Sequence, residues 1–306
     1  MNKILILGST GFLGRSLISY ILKNYNYFEI DAVYFTNPGL FLQNNVNYIQ
    51  CDLTSFTDVK NKLSSDYQYV FNFSGYVNHS SFLNGGFHVI QNHLFSLFNI
   101  TSVISRKRLK KFIQIGSSDE YGIQNNFQVE SDFKDPSTPY AFSKLAGTQF
   151  LKMLQKSENF PFVNLRLFLV YGPGQDVNRF VPFVINKCIR NQEVDLTKCE
   201  QFRDFLFIDD LLKGILLAAF NPNKSNVYNL ASGMGTNLKD LAEKIHKIIG
   251  KGQLNFGSKE YRENESMSLI ADSTLFKNEF NWKPNITLED GLKQTIDYYK
   301  NSNDAS

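Results

Sequence analysis

The chain has 306 residues, of which 42% are apolar, and its 32 Lys and Arg nearly balance its 29 Asp and Glu to give a net charge of +3. That length and apolar fraction can build a large core, and the near balance of charge excludes the broad basic field that binds nucleic acid or membranes non-specifically. We therefore expect a globular protein whose ligand is a small polar molecule.

The three cysteines, Cys51, Cys188 and Cys199, are odd in number and show no CxxC spacing. This pattern argues against a disulfide framework and against a zinc site, so we expect reduced thiols, no metal and a cytoplasmic protein. The apolar runs at 4–7 and 211–220 are too short for a signal peptide and for a membrane span, respectively, and no membrane partner is predicted.

The first half of the chain alternates short apolar runs with patterns of helical period. Strands are predicted at residues 3–7, 30–35, 69–73, 111–115 and 162–168, with a further one ending at Cys51, and helices at 13–22, 57–63, 89–104 and 139–156. The strands are apolar without alternation, as expected when both faces are covered. The pattern predicts an α/β fold with a doubly wound parallel sheet of six or seven strands, the Rossmann arrangement.

Beyond Tyr171 the pattern becomes less regular. Gly172-Pro173-Gly174 interrupts the chain, and short helices are predicted at 180–190, 211–220, 238–249 and 288–300. We predict a smaller mixed α/β lobe at 171–306, with part of 203–232 packing back on the Rossmann domain.

A glycine-rich turn, Gly8-Ser9-Thr10-Gly11-Phe12-Leu13-Gly14, follows the first strand and opens the first helix. Gly8 permits a tight turn, Gly11 lets the backbone approach a pyrophosphate, and Gly14 allows the helix to pack closely on the strand. Such a turn can be purely structural, but its position after a buried strand favours NAD(P). The predicted cofactor-binding residues of the turn are Gly8, Thr10, Gly11, Phe12, Leu13 and Gly14.

The second strand ends at Tyr34-Phe35-Thr36-Asn37, without the carboxylate that binds the adenosine ribose of NAD. Because a carboxylate would repel a 2′-phosphate, its absence favours NADPH, with NAD(H) as the second choice, and we expect Thr36 and Asn37 to bind that phosphate. Asp52, followed by Leu53, is predicted either to bind the adenine amino group or to cap the next helix.

Thr138-Pro139 predicts the start of a helix, with Thr138 as N-cap and Pro139 in the first helical position. Tyr140 and Lys144, four residues apart, therefore share one face. An ammonium beside a phenol favours the phenolate, which can exchange a proton with a sugar hydroxyl or ketone. The same spacing occurs on ordinary surface helices, so the prediction depends on the context.

That context is Ser117-Ser118, which follows the strand at 111–115 at the carboxyl edge of the sheet, where ligands of such folds bind. A serine hydroxyl there can polarise the oxygen that Tyr140 protonates, although two serines after a strand can also form only a turn. The glycine turn, the serine pair and Tyr140 with Lys144, each in its required element, together predict a catalytic site.

With these motifs the chain resembles the extended short-chain dehydrogenase/reductase family, which contains nucleotide-sugar epimerases, dehydratases and reductases. Arg203-Asp204-Phe205 and Trp282-Lys283-Pro284 extend the resemblance over nearly the whole chain. The resemblance implies an NAD(P)-binding Rossmann domain at 1–170, a substrate-binding lobe at 171–306 and a homodimer formed through the helices at 87–105 and 139–156. It further implies cofactor contacts by Phe73, Ser74 and Gly75 and a catalytic triad of Ser118 (or Ser117), Tyr140 and Lys144.

Weaker signals separate the branches of the family. The 4,6-dehydratases carry Thr-Asp-Glu-Val-Tyr-Gly, in which the two acids eliminate water, whereas this chain has Ser118-Asp119-Glu120-Tyr121-Gly122 and lacks the residue before the tyrosine. The shorter segment is similar to that of reductases of nucleotide-linked 4-keto-6-deoxysugars. Asp119 and Glu120 are then either catalytic or anchors of the loop.

The second half is similar to the reductases that make CDP-abequose and related deoxysugars. A nucleotide diphosphate needs cations at its phosphates, and an arginine offers a two-pronged donor. Arg203 and Arg262 are predicted to bind substrate, with Arg179 as a third candidate. Arg203 and Arg262 could each instead form a structural salt bridge.

The resemblance thus implies hydride transfer from NADPH to C4 of a nucleotide-linked 4-keto-6-deoxyhexose, which makes a deoxysugar donor for surface polysaccharide such as O-antigen. Tyr140 would give the proton, Ser118 would hydrogen-bond the forming alkoxide, and Lys144 would hold the cofactor ribose. Three alternatives stay open: a nucleotide-sugar C4 epimerase, a 4,6-dehydratase with retained NAD, and a non-catalytic NADP(H)-binding module.

Overall fold

The computed structural model describes residues 2–36, 42–123, 127–221, 226–262 and 265–304. The chain forms two compact units that interleave along the sequence. Unit 1 comprises Met1–Gly122, Asp132–Arg166 and Leu212–Tyr228, and unit 2 comprises Ile123–Ser131, Leu167–Leu211 and Asn229–Ser306.

The strands, in chain order, are β1 (Asn2–Leu7), β2 (Phe28–Tyr34), β3 (Val46–Gln50), β4 (Tyr69–Asn72), β5 (Lys111–Ser117), β6 (Phe162–Leu167), β7 (Leu169–Tyr171), β8 (Glu193–Leu196), β9 (Phe202–Phe207), β10 (Val227–Leu230), β11 (Gly235–Asn237), β12 (Gln253–Phe256) and β13 (Ser268–Leu269). The α-helices are α1 (Phe12–Asn24), α2 (Phe56–Lys62), α3 (Gly86–Val103), α4 (Pro139–Glu158), α5 (Phe180–Ile189), α6 (Ile208–Phe220), α7 (Leu238–Ile249), α8 (Thr274–Phe280) and α9 (Leu288–Asp304).

Seven strands form one sheet in the order β3-β2-β1-β4-β5-β6-β10. β1 runs parallel to β2 and β4, and β4 runs parallel to β5. The strand order reverses at β1, because β2 and β3 lie on one side of it and β4 and β5 on the other. This arrangement confirms the predicted doubly wound Rossmann sheet, in which ligands bind at the carboxyl ends of the strands beside the reversal.

The register of the central strands brings three loops to one edge of this sheet. Leu7 at the end of β1 is level with Asn72 in β4, and Asn72 is level with Gln114 in β5. The amide of Asn72 donates to the buried Gln114 side chain at 2.8 Å. The turns after β1, β4 and β5 therefore begin within a few residues of the same level.

Apolar side chains from the sheet and helices of unit 1 form a continuous core. Its fully buried members include Leu5, Val70, Phe112, Leu151 and Phe162. Because burial of each large apolar side chain contributes about 1.5–3 kcal/mol, this core gives the strand ends a rigid support.

Unit 2 has smaller sheets. β9 pairs with β7, β11 and β13, and β8 pairs with β12. Asp204 in β9 is fully buried and accepts hydrogen bonds from the backbone amides of Ser232 and Gly233 at 2.9 and 2.8 Å. Its carboxylate thereby fixes the loop after β10. Within the described ranges, no helix has the length and apolar character needed to span a membrane.

Two predicted helix caps have different outcomes. The Thr138 hydroxyl accepts from the amide of Ala141 at 3.1 Å and Pro139 begins α4, so the predicted cap is confirmed. The N-cap of α2 is Ser55, whose hydroxyl accepts from the amide of Asp58, and the alternative that Asp52 caps this helix is therefore wrong.

Candidate active site

In the glycine turn between β1 and α1, packing requires glycine at two positions and does not explain the glycine at the third. Gly8 has φ +73°, and a Cβ there would lie 2.7 Å from the carbonyl oxygen of Phe73. A Cβ on Gly14 would lie 2.4 Å from the carbonyl oxygen of Gly8. A Cβ on the exposed Gly11 would meet its nearest atom only at 3.4 Å. Gly11 thus leaves space open at the start of α1.

This space suits a pyrophosphate. Gly11 is the N-cap of α1 and makes no side-chain cap hydrogen bond, so the first amides of the helix are left for another acceptor. Ser9, in the same turn, is 1% exposed, and its hydroxyl has no hydrogen-bond partner among the described residues. The residues present therefore fit a dinucleotide cofactor, with Thr10, Phe12 and Leu13 partly buried beside Gly11.

The turn after β4 lies against the glycine turn. The amide of Phe73 donates to the carbonyl of Leu7 at 3.1 Å, and the Ser74 hydroxyl donates to Asn72 at 2.5 Å. Gly75 has φ +100°, and a Cβ there would collide with the His93 ring at 2.2 Å. The backbone of this predicted cofactor segment is consequently held close to β1.

The predicted residues at the adenosine end lie after β2 and β3. Thr36 is exposed directly after β2, and Asn37 lies outside the described residues. Asp52 accepts hydrogen bonds from the amide and hydroxyl of Thr54 at 2.9 and 2.7 Å, which closes a turn, and Leu53 is partly buried.

Helix α4 places Tyr140 and Lys144 on one face, where they are 6% and 8% exposed. The Lys144 Nζ lies 5.7 Å from the centre of the Tyr140 ring and donates to the carbonyl of Ile115 at 2.9 Å. Burial lowers the pKa of Lys144 to about 8, against the opposing effect of the Glu120 and Asp119 carboxylates. The structure thus brings the predicted lysine to the end of β5, beside the predicted serines.

The two serines have different surroundings. Ser117 ends β5, and its hydroxyl accepts from the amide of Asp119 at 3.1 Å, which caps a short 3-10 helix, Ser118–Tyr121. Ser118 is 5% exposed, and its hydroxyl has no protein hydrogen bond within the described part of the chain. Ser117 therefore supports the turn through its lone pair, while each hydroxyl proton remains available to a ligand.

Glu120 and Arg166 form a buried ion pair under this turn. The Arg166 Nε donates to Glu120 Oε2 at 2.9 Å, and Nη1 donates to the Tyr121 hydroxyl at 3.0 Å. The Thr148 hydroxyl donates to the same carboxylate at 3.0 Å, and the amide of Ser117 donates to Oε1 at 3.1 Å. Glu120 thus accepts three hydrogen bonds, from Arg166, Thr148 and Ser117, and anchors the end of β5.

Asp119, in contrast, faces His79, which was not among the predicted site residues. The Oδ2 of Asp119 lies 4.0 Å from the Nε2 of His79, and the two side chains are 35% and 40% exposed. The rings of His79 and His93 each lie 5.5 Å from the Tyr140 ring, both edge-on. A signal was present, because His79 follows the cofactor segment that ends at Gly75 by only four residues.

The three candidate substrate arginines all lie in unit 2. Arg203 is 7% exposed and pairs with Glu265 at 2.5 Å. Arg179, the N-cap residue of α5, and Arg262 are exposed. The salt bridge that was the alternative for Arg203 is therefore present. In the described ranges, no three His, Cys, Asp or Glu side chains cluster as they would around a metal ion.

Comparisons with known proteins agree with this fold. The sequence model of the NAD dependent epimerase/dehydratase family matches residues 4–231. The CDP-abequose synthase of Salmonella typhimurium is 27% identical over 96% of this chain and 97% of its own length. The putative UDP-glucose 4-epimerase of Methanocaldococcus jannaschii is 25% identical over 98% of this chain and 99% of its own.

A solved structure has the same fold at 24% identity. UDP-glucuronic acid 4-epimerase from Bacillus cereus, in complex with UDP-glucuronic acid and NAD, covers 98% of this chain and 99% of its own with a TM-score of 0.86. Because the family model matches residues 4–231, the chain belongs to the NAD dependent epimerase/dehydratase family of nucleotide-sugar-modifying enzymes, which confirms the predicted family.

Proposed function

We propose that this protein reduces the C4 ketone of a nucleotide-linked 4-keto-6-deoxyhexose with NADPH. The observation that carries the proposal is the buried ion pair of Glu120 and Arg166. It lies beside the proposed catalytic residues Tyr140, Lys144 and the serine pair. A dehydratase of this family uses two carboxylates to eliminate water. Because Glu120 is fully buried and paired with Arg166, Asp119 is left as the one carboxylate of the pair that reaches solvent. With one of the two acids buried, elimination of water is disfavoured, and Tyr140, Lys144 and the serines are left to reduce a ketone.

The cofactor supplies the hydride when it is bound, and the chain supplies the proton and the orientation. Tyr140 gives its phenolic proton to the oxygen at C4, and Ser118 donates a hydrogen bond to the same oxygen, with Ser117 as the alternative donor. Lys144 would hold the nicotinamide ribose and favour the phenolate. Its Nζ is oriented by the carbonyl of Ile115.

The preference for NADPH is supported by the end of β2. No carboxylate occurs among its last described residues, Tyr34, Phe35 and Thr36, where an acid would repel a 2′-phosphate. Thr36 is exposed and able to donate to that phosphate, and Asn37 is proposed as its neighbour in the same role. NAD(H) is the second choice, because the Bacillus cereus epimerase was solved with NAD.

We assign cofactor binding to the Rossmann domain, residues 1–170, and recognition of the nucleotide sugar to the lobe at 171–306. Arg262 and Arg179 offer exposed guanidinium groups to the diphosphate. Arg203 would join them only if it exchanged Glu265 for phosphate. The likeness to the CDP-abequose synthase supports a deoxysugar donor for surface polysaccharide as the product.

We further propose a homodimer formed by α3 and α4. Phe87, Phe95 and Phe98 on α3 are 51%, 45% and 37% exposed, and Phe142 and Met153 on α4 are 49% and 48% exposed. Their spacings of 8, 3 and 11 residues return to the same face of each helix. A second copy would cover these two stripes. Light scattering should give a molar mass twice that of the monomer. The Phe95→Asp variant should give the mass of a monomer.

Three buried, free cysteines, Cys51, Cys188 and Cys199, support a reducing compartment such as the cytoplasm.

The reaction is tested by incubating the purified protein with NADPH and either dTDP- or CDP-4-keto-6-deoxyglucose. We expect one NADPH consumed per sugar reduced, followed at 340 nm and by mass spectrometry of the product. Tyr140→Phe should lower turnover by about 100-fold or more and leave NADPH binding unchanged. Conversion between C4 epimers of UDP-glucose without added cofactor would replace the proposal by the epimerase function, which the Methanocaldococcus jannaschii relative favours.

A further inference from the structure

The loop after β4 carries a histidine that none of the roles above requires. We propose that His79 and Asp119 form a proton relay that carries a proton from solvent to the phenol of Tyr140 after each reduction. The inference rests on the proposed reductase function, because only a reaction that consumes its cofactor takes up a net proton.

A relay is needed because Tyr140 is nearly closed off from water. Each reduction transfers the phenolic proton to the sugar and leaves a phenolate on a residue that is 6% exposed. Its cationic neighbour, Lys144, is itself 8% exposed and donates to the carbonyl of Ile115. A group that contacts both the phenol and water would shorten the recovery of the proton.

His79 lies beside the Tyr140 ring and also reaches solvent. Its ring lies edge-on to the Tyr140 ring at 5.5 Å, while its side chain is 40% exposed. Asp119 stands behind it, with Oδ2 4.0 Å from Nε2. Since 4.0 Å exceeds a hydrogen bond, the pair would act after a small rotation of the imidazole or through one water molecule.

His93, the other histidine at the Tyr140 ring, is unsuited to this role. Burial, followed by the nearby charge of Lys144, lowers the pKa of His93 to about 3, so its ring stays neutral. Its Nε2 lies 3.1 Å from the carbonyl of Tyr76, and its ring fills the space above Gly75. His93 therefore supports the cofactor turn and does not donate protons.

The negative charge of Asp119 favours a protonated, cationic His79. The Asp119 carboxylate faces it from the 3-10 helix, and burial raises the pKa of that carboxyl while the His79 imidazole opposes the rise. The neighbouring charge of Glu120 is compensated by Arg166. Lys144 on α4 is the cation of the cluster, and its contact with Ile115 holds it at the end of β5.

The proposed step is a proton transfer without a redox change. The imidazolium of His79 gives its N–H proton to the phenolate oxygen of Tyr140, and the neutral imidazole then takes a proton from water. The Asp119 carboxylate stabilises the imidazolium while it exists. Oxidation of the cofactor and reduction of the ketone are complete before this step, so the relay balances one proton per turnover.

The test compares His79→Gln, His79→Ala and Asp119→Asn with the wild-type full-length protein in the NADPH assay with dTDP- or CDP-4-keto-6-deoxyglucose. We expect kcat to fall about 10- to 100-fold in His79→Gln with an unchanged KM for NADPH, and one ionisation to disappear from the pH profile of kcat. Free imidazole should restore much of the activity of His79→Ala. Asp119→Asn should show a smaller loss in the same direction.

The matched control is His88→Gln, since His88 is an exposed histidine of α3 whose ring contacts Phe87. It should behave like the wild type. A kcat of His79→Gln equal to that of the control would overturn the relay alone, as would a loss that imidazole does not reverse and that appears only in KM for the sugar. A wild-type protein that consumes no NADPH overturns the proposed function and the relay together.

Discussion

Arg166 donates to Glu120 at 2.9 Å in a place where the two side chains are 2% and 0% exposed. The same glutamate also accepts a hydrogen bond from the backbone amide of Ser117. The ion pair therefore links strand β6 to the turn that carries the candidate serines. In a buried pair, the loss of one partner leaves a charge without compensation, which costs far more than the pair itself contributes.

Replacing Glu120 by Gln should lower the free energy of unfolding by about 3–5 kcal/mol, because Arg166 then keeps a buried charge without its counterion. Urea unfolding measures the loss. Arg166→Met should cost a similar amount, and the double variant should cost clearly less than the sum. The control is Glu289→Gln in the exposed Glu289–Lys293 pair, where solvent screens the charges and stability should stay close to that of the wild type. Equal losses in Glu120→Gln and Glu289→Gln would refute the anchoring role.

Lys144→Met should raise stability while it removes turnover. The pKa of Lys144 is about 8 in the folded chain and about 10.4 in an unfolded one. Below pH 8 Lys144 is protonated in both the folded and the unfolded chain. The buried charge then lowers the free energy of unfolding. Between pH 8 and about 10.4 the unfolded chain binds more protons, so wild-type stability rises with pH through that window.

The substitution should therefore increase the free energy of unfolding at pH 7 by about 1–2 kcal/mol after the lost hydrogen bond to Ile115 is allowed for. The gain should shrink as the pH rises from 8 to about 10.4. Thermal unfolding at several pH values measures this, with Lys107→Met, at an exposed position, as the control. A pH-independent difference would show that the charge of Lys144 is not the cause.

Gly11→Ala and Gly14→Ala separate cofactor binding from folding. At Gly14 a Cβ would lie 2.4 Å from the Gly8 carbonyl, so Gly14→Ala should unfold at a lower temperature. At Gly11 the nearest atom is 3.4 Å away, so Gly11→Ala should keep its melting temperature. Its Kd for NADPH should rise about 10-fold, because the methyl group occupies the space of the pyrophosphate. Fluorescence titration of NADPH checks this, and unchanged affinity in a folded Gly11→Ala would exclude the turn from the cofactor site.

Thr36→Glu should reverse the cofactor preference. A carboxylate at the end of β2 repels a 2′-phosphate and can bind the hydroxyls of a ribose without one. We expect the ratio of kcat/KM for NADPH over NADH to fall about 10-fold or more, with Thr36→Gln as the uncharged control. If the two variants kept the same ratio as the wild type, the end of β2 would not contact the 2′ position.

Spacing along the chain was enough to predict the elements on which the site stands. Tyr140 and Lys144 share a face because four residues complete about one helical turn, and Thr138 with Pro139 determines where that helix begins. Gly8, Gly11 and Gly14 predict the turn for a similar reason, since local backbone conformation depends on local residues. The parallel sheet followed from apolar runs without alternation.

Contacts between distant residues decided what the sequence left open. Glu120 and Arg166 are 46 positions apart, and nothing in their spacing shows that one carboxylate of the Asp119-Glu120 pair is buried in an ion pair while the other faces His79. Likewise, Arg203 pairs with Glu265, which lies 62 positions further along the chain. Periodicity and spacing report on neighbours along one element, whereas burial and charge pairing arise only when strands from remote parts of the chain are brought side by side.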